Sequence, residues 1–203
     1  MDREDIDRFL PKFLSAKDSK ELQYAVNEML AGGTKSYYTS RLMNEPVLYQ
    51  GDGLKSLPYF ELPRTDVKTV PAMVISNTCD VDPDNPRDFP PRVLYAPIMP
   101  LKVYRVGLLK TTRKTEEQVE GHLQAVRKQH VTQVFYLPKY QGVMEESLVY
   151  LDRIVNVSNA TIDRVTLPDN RIFTLSDFGA WFMALKLSIH FSRIQDQVER
   201  GSG

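Results

Sequence analysis

The chain has 203 residues, 42% of them hydrophobic and 26% charged, with 26 basic and 26 acidic side chains and a formal net charge of +0. This composition supports a packed core and excludes a disordered chain, and the charge balance gives no whole-molecule sign of a polyanionic or membrane partner. The single cysteine, Cys79, excludes an internal disulfide and any site built from several thiolates, and it fits a reducing cytoplasm. No apolar run is long enough to span a bilayer, and Met1-Asp2-Arg3-Glu4-Asp5 is too acidic for a signal peptide. The expectation is a cytoplasmic protein with no membrane partner and no cofactor.

Residues 1–33 carry two amphipathic stretches. Ile6, Phe9, Leu10, Phe13 and Leu14 fall at helical spacing, as do Leu22, Ala25, Val26, Met29 and Leu30, and Gly32-Gly33 ends the second run. Each stripe must be covered, which predicts a helical hairpin over one end of the main domain, or an arm for homodimerisation. Residues 34–174 read as the main domain, rich in strands. Val47-Leu48-Tyr49 and the run from Leu57 to Leu62 flank the turn Gln50-Gly51-Asp52-Gly53. The strongest strands are Val70 to Asn77 and Val93 to Leu101, rich in Val, Ile and Tyr. Between them Asp82, Pro83, Asp84, Asn85, Pro86, Pro90 and Pro91 dictate a long polar loop.

Beyond Leu101, the alternation in Lys102-Val103-Tyr104-Arg105-Val106 predicts a further strand. A helix inserted at 111–131 follows, opened by a capping box of Thr115 and Gln118, with the narrow stripe Val119, Leu123 and Val126. Strands are expected from Thr132 to Leu137 and from Ser147 to Val157. A hairpin is expected around Pro168-Asp169-Asn170. Residues 175–200 form the strongest helix, apolar on two faces, with a polar ridge of Lys186, His190, Arg193 and Gln197. Such a helix packs on two sides, against the strands or in a dimer seam. Gly201-Ser202-Gly203 reads as an appended linker.

Three groups could carry chemistry. Cys79, Asp80 and Asp82 could supply a thiol nucleophile or a carboxylate site. A thiolate needs a base or cation beside it, and only His122, His130 and His190 exist. The alternating carboxylates lack the glycine and terminal glutamate of an EF-hand, so no metal is expected there. The competing reading makes Cys79 a small buried hydrophobe and has Asn77, Thr78 and Asp80 bond the backbone as the strand leaves the barrel. Lys186, His190 and Arg193 could bind phosphate or a partner, or could simply face solvent. Lys110, Arg113, Lys114, Arg127, Lys128 and His130 surround the inserted helix, where Tyr136 and Tyr140 could stack bases, although Glu116, Glu117 and Glu120 oppose a polyanion.

Gly51-Asp52 ahead of a strand, then Pro71-Ala72-Met73-Val74-Ile75-Ser76-Asn77, then Val93-Leu94-Tyr95-Ala96-Pro97-Ile98, resembles the PemK/MazF-like family of SH3-like barrels. The resemblance covers at most Val47 to Val157. It implies an α+β protein built on a small β-barrel, with terminal and inserted helices, and many toxins of that family are sequence-specific endoribonucleases. Its catalytic arginine precedes the proline of the first motif, where this chain has Val70. Its catalytic threonine follows the proline of the second, where Ile98, Met99 and Pro100 stand. RNA cleavage needs an acid–base pair and a cation for the developing charge, which valine and methionine cannot supply. The resemblance therefore implies a catalytically degenerate binding module of a bacterial stress or defence system, recognising nucleic acid or a protein. The alternatives are a nuclease or other hydrolase centred on Cys79, Asp80 and Asp82, and a dimeric scaffold.

Overall fold

The computed structural model describes residues 37–191 apart from positions 86 and 141. The helices expected over 1–33, the distal part of the C-terminal helix with Arg193, and the linker at 201–203 lie outside the described residues. Eight strands are seen: β1 (Tyr38–Thr39), β2 (Asp52–Tyr59), β3 (Lys68–Val74), β4 (Arg92–Pro100), β5 (Val134–Leu137), β6 (Ser147–Tyr150), β7 (Val155–Ser158) and β8 (Arg171–Leu175). Five helices accompany them: α1 (Thr78–Val81), α2 (Leu101–Thr111), α3 (Glu116–Arg127), α4 (Leu167–Asn170) and α5 (Asp177–Phe191). The fold is α+β, and every strand pairing is antiparallel in the order β1-β8-β2-β3-β4-β6-β5, with β7 also on β4.

The two strands that Val, Ile and Tyr mark most strongly, β3 and β4, are neighbours at the centre of this order. β4 changes partners along its length. Its first residues pair with β7, Tyr95 to Pro97 pair with β3, and Ile98 to Pro100 pair with β6. The strand expected from Ser147 to Val157 is thus two strands on β4, interrupted at 151–154. The β3–β4 ladder stops at Ala72 opposite Pro97. Pro71, Pro97 and Pro100 have no N–H to give, so the two strands open beyond that point.

No ladder among the described residues joins β1 to β5, and the strand order is open. Side chains nevertheless bring its two ends together. The Tyr38 hydroxyl donates to the Pro138 carbonyl at 2.7 Å, and the Tyr38 and Tyr140 rings stack at 4.6 Å. One core lies between the sheet and α5, with Met73, Ala96, Phe135, Phe173, Phe182 and Met183. A second holds Leu48, Leu54, Val74, Tyr95 and Leu167. A third, with Leu101, Val119, Leu123, Val126 and Leu148, lies under α2 and α3.

Three expectations are corrected. Lys102 to Val106 is helical, because Leu101, Tyr104 and Leu108 at i, i+3 and i+7 face the third core, and that period outweighs a five-residue alternation. The inserted helix is therefore a helical hairpin beginning at Leu101. The capping box at its second helix is present as expected, with Thr115 and Gln118 bonded reciprocally. The hairpin expected around Pro168 is instead the helical turn α4 leading into β8, which pairs with β1 and β2.

Two polar nodes fix the periphery. Asp52 and Arg171 are an ion pair at 3.0 Å with fully buried side chains. Arg171 also donates to the carbonyls of Leu42, Met43, Glu45 and Val47, and Asp52 accepts from Thr174 and from the Tyr49 N–H. Burial pushes the Asp52 carboxyl up from its ordinary value, and those donors pull it back. The second node is Gln129, which ends α3 in the left-handed region at φ 60. The Gln129 and His130 N–H groups return to Val126 and Ala125, closing a Schellman turn. The Gln129 side chain bonds both backbone groups of Tyr136, and so covers part of the outer edge of β5.

Lys186 lies inside the fold. Gly179, Phe182, Met183 and Lys186 share the buried stripe of α5, and the Lys186 ammonium donates to the Gln129 carbonyl. Burial lowers its pKa from 10.5 to about 8. The unfolded chain therefore binds more protons between those values, and stability rises with pH across that window. Lys186→Met should be more stable than the parent at pH 7 by about 2 kcal/mol, since a buried charge is removed at the loss of one hydrogen bond. The gain should vanish by about pH 10.5. Urea unfolding of both chains at pH 7 and 10.5 checks this, and a pH-independent difference would contradict it.

Candidate functional site

The opened end of β3 and β4 is where side chains of differing chemistry converge. Continuing the register past Ala72 and Pro97 sets Val70 across from Met99. Met99 is met by Tyr150 at the end of β6, which in turn meets Tyr104 on α2 and Arg153 in the interruption between β6 and β7, and Arg153 acts on Tyr59 at the end of β2. The Arg153 guanidinium lies 4.0 Å from the centre of the Tyr150 ring. Tyr150 donates to the Met99 sulfur at 3.3 Å, and the Tyr104 ring meets it edge-on at 6.2 Å. The Tyr104 hydroxyl and His122 Nε2 are hydrogen-bonded at 2.8 Å.

Burial pushes the hydroxyls of Tyr59, Tyr104 and Tyr150 up from their ordinary value, and Arg153 pulls each one down. One cation thus acts on three phenols that remain protonated at neutral pH. His122 is held below its ordinary value, first by burial and then by Lys114, and is neutral at pH 7. Arg153 has two long carboxylate contacts, Glu61 at 3.7 Å and Asp152 at 4.0 Å, both half-exposed. Pairs of that kind contribute about 0–1 kcal/mol, so a phosphate can displace them. Beside the cluster, Tyr59, Glu61, Arg64, Asp66 and Lys68 line a notch of about 30 Å³.

The cleft beside this notch offers half-buried aromatic rings and a guanidinium, with the Tyr150 and Tyr104 hydroxyls already engaged by Met99 and His122. It can hold a stacked ring and an anion together. No group of three or more His, Cys, Asp or Glu side chains suited to a metal occurs among the described residues.

The groups singled out in the sequence are placed elsewhere. In the Cys79 segment, the Asn77 side chain caps α1 by accepting from the Cys79 N–H at 2.9 Å, and Thr78 Oγ1 accepts from the Gln50 N–H. Asp82 accepts from the Asp84 N–H at 3.0 Å. Asp80 is paired with Arg87 at 2.6 Å, and Asn85 donates to the Cys79 carbonyl. Cys79 is exposed. Among the described residues, none of these bonds reaches a histidine. His190 meets Phe191 edge-on at 4.9 Å and is not brought to Asp80 by any of these bonds. Lys186 is buried and is not presented to a partner.

The basic cluster around the inserted helix is divided. Arg127 makes a two-pronged contact with Glu146 at 2.9 and 3.0 Å, which holds the Glu146 carboxyl below its ordinary value. Arg127, Lys128 and His130 lie at one end of α3, and Lys110, Arg113 and Lys114 at the other. At 1.5 Å per residue, the 12 residues of α3 separate the two groups by about 18 Å. The sequence reading missed Tyr59, Tyr104, Tyr150 and Arg153. They lie on β2, α2, β6 and the segment after it, and no local pattern in the sequence joins them.

No protein-family model and no curated protein matches the chain.

Proposed function

We propose that this chain is a binding module for single-stranded nucleic acid, a catalytically degenerate barrel of the PemK/MazF type serving a bacterial stress or defence system. The observation that carries the binding reading is the Arg153 guanidinium 4.0 Å over the Tyr150 ring, with Tyr104 beside it and Tyr59 acted on by the same cation. Aromatic faces interleaved with cations are what unpaired bases and their phosphates require, and stacking contributes about 1–3 kcal/mol per base. The barrel reading is supported by the Tyr38 contacts that draw the two ends of the strand order together, and by Gly51-Asp52 at the entry to β2. The loss of cutting groups is supported by Val70 and Met99 at the opened strand ends.

The test is fluorescence anisotropy with labelled single-stranded RNA and DNA at 50 and 200 mM salt. Binding at the lower salt that weakens severalfold at the higher is expected. Arg153→Ala should lower affinity at least tenfold without moving the melting temperature, because the side chain is 40% exposed. Failure of the parent to bind either strand would overturn the reading, as would an unchanged affinity in Arg153→Ala.

A further inference from the structure

The arginines on the flanks of the α2–α3 hairpin are neutralised within the fold, and the cations at its turn are not. Arg105 is paired with Glu120 at 2.6 Å and Arg127 with Glu146 at 2.9 Å. Glu116, in the first turn of α3, acts on Arg105 as well. Lys110, Arg113 and Lys114 are exposed and have no carboxylate partner among the described residues.

From the cleft the contacts run into the hairpin: Tyr150 carries Arg153, Tyr104 meets Tyr150, and His122 on α3 bonds Tyr104. The charge of Lys114 helps to hold His122 below its ordinary value, so the turn lies within electrostatic reach of that histidine. From Tyr104 to Thr111, α2 advances about 10 Å at 1.5 Å per residue, close to three stacked nucleotide steps of about 3.4 Å.

We infer that the α2–α3 hairpin is a phosphate track that prolongs the cleft, so that the ligand is a continuous single strand of at least about four nucleotides. A base stacks at Tyr150 and Tyr104, and the following phosphates run past His122 to Lys114, Arg113 and Lys110. This inference rests on the nucleic-acid reading above and goes beyond it in naming the length and path of the strand. The helical hairpin is an insertion relative to the pattern that the sequence resembles, so the track belongs to this chain's own elaboration.

The experiment compares oligouridylates of three, six and twelve nucleotides on the parent and on the triple variant Lys110→Gln, Arg113→Gln, Lys114→Gln. All three positions are exposed, and an unchanged melting temperature verifies folding. A second variant, Arg41→Gln with Lys128→Gln and Lys139→Gln, removes the same number of positive charges at exposed positions outside the turn and serves as a control for bulk charge. In the parent, affinity should rise from three to six nucleotides and then level off. The triple variant should lose that rise, and its salt slope with the six-mer should fall by about 2, from about 0.7 per phosphate contact. The control variant should keep both the rise and the slope. A triple variant with the parent's length dependence and slope would overturn the track while leaving the cleft intact. Equal losses in both variants would likewise overturn it, as an effect of bulk charge. A parent that binds none of the three lengths would remove the cleft reading and the track together.

Discussion

Arg171→Ala is expected to lower stability by about 4 kcal/mol, read as a shift of the urea midpoint with little change in slope. A buried ion pair is weak evidence of stabilisation by itself, since desolvation offsets much of the attraction. Removing one partner is different, because the other charge stays buried without compensation. Here Asp52 would keep Thr174 and the Tyr49 N–H, but would lose the guanidinium 3.0 Å away. The carbonyls of Leu42, Met43, Glu45 and Val47 would lose the guanidinium at the same time, Leu42 keeping only the Glu45 N–H at 3.2 Å. The segment from 42 to 47 has little else to hold it in place, so its release should appear as new proteolytic cleavage there. Arg171→Lys should recover little, since a single ammonium cannot serve both a carboxylate and a fan of carbonyls. A loss under 1 kcal/mol in Arg171→Ala would show that the node is not the fastening described.

Gly179→Ala should cost about 3 kcal/mol, the upper part of the range for overpacking. Gly179 is in α5, where helical backbone would ordinarily favour alanine. Its added Cβ would stand far inside van der Waals distance of the Tyr37 carbonyl oxygen and 3.2 Å from two Leu175 side-chain atoms. A backbone oxygen cannot swing aside, and this one also accepts the Ser176 N–H at 2.8 Å. Gly107 and Gly121, in α2 and α3, provide the contrast. A Cβ at either meets nothing within 4 Å. Gly107→Ala and Gly121→Ala should therefore stabilise by about 0.5–1 kcal/mol through helix propensity alone. Thermal unfolding of the three variants measures both signs in one experiment, and a stabilising Gly179→Ala would refute the close approach of α5 to Tyr37.

How far the sequence was readable follows from how local each feature is. β3 and β4 could be read because Met73-Val74-Ile75 and Val93-Leu94-Tyr95 are dense in strand-forming side chains and bounded by prolines. The capping box at Thr115 could be read because it closes within four residues. Lys102 to Val106 could not, because five residues fit either period, and the decision lay with Leu148 and Val126, which only the tertiary fold brings to Leu101. Asp80 has a cation seven residues on, at Arg87, so its ion-pair partner is local in the chain. Arg153 and Tyr59 are 94 positions apart, and no spacing rule joins them. Lys186 lies on a polar ridge by helical count, but burial follows what α5 packs against, and the Gln129 carbonyl just past α3 accepts from Lys186 there.

The position of β8 between β1 and β2 has a consequence for biosynthesis. Among the described residues strand β1 has its ladder with β8, and the segment from 42 to 47 waits for Arg171. A nascent chain leaving the ribosome can assemble β2, β3 and β4 early, and Tyr38 can meet Pro138 and Tyr140 once they emerge, but Tyr38 and Thr39 gain their ladder only when residues more than 130 positions later have been translated. Closure of so distant a contact makes the final step slow and exposes the half-built sheet meanwhile. A stop anywhere before Arg171 would release a product with its first strand unpaired and Asp52 buried without its arginine. Such truncated chains should be bound by chaperones and degraded rather than accumulate as smaller folded proteins.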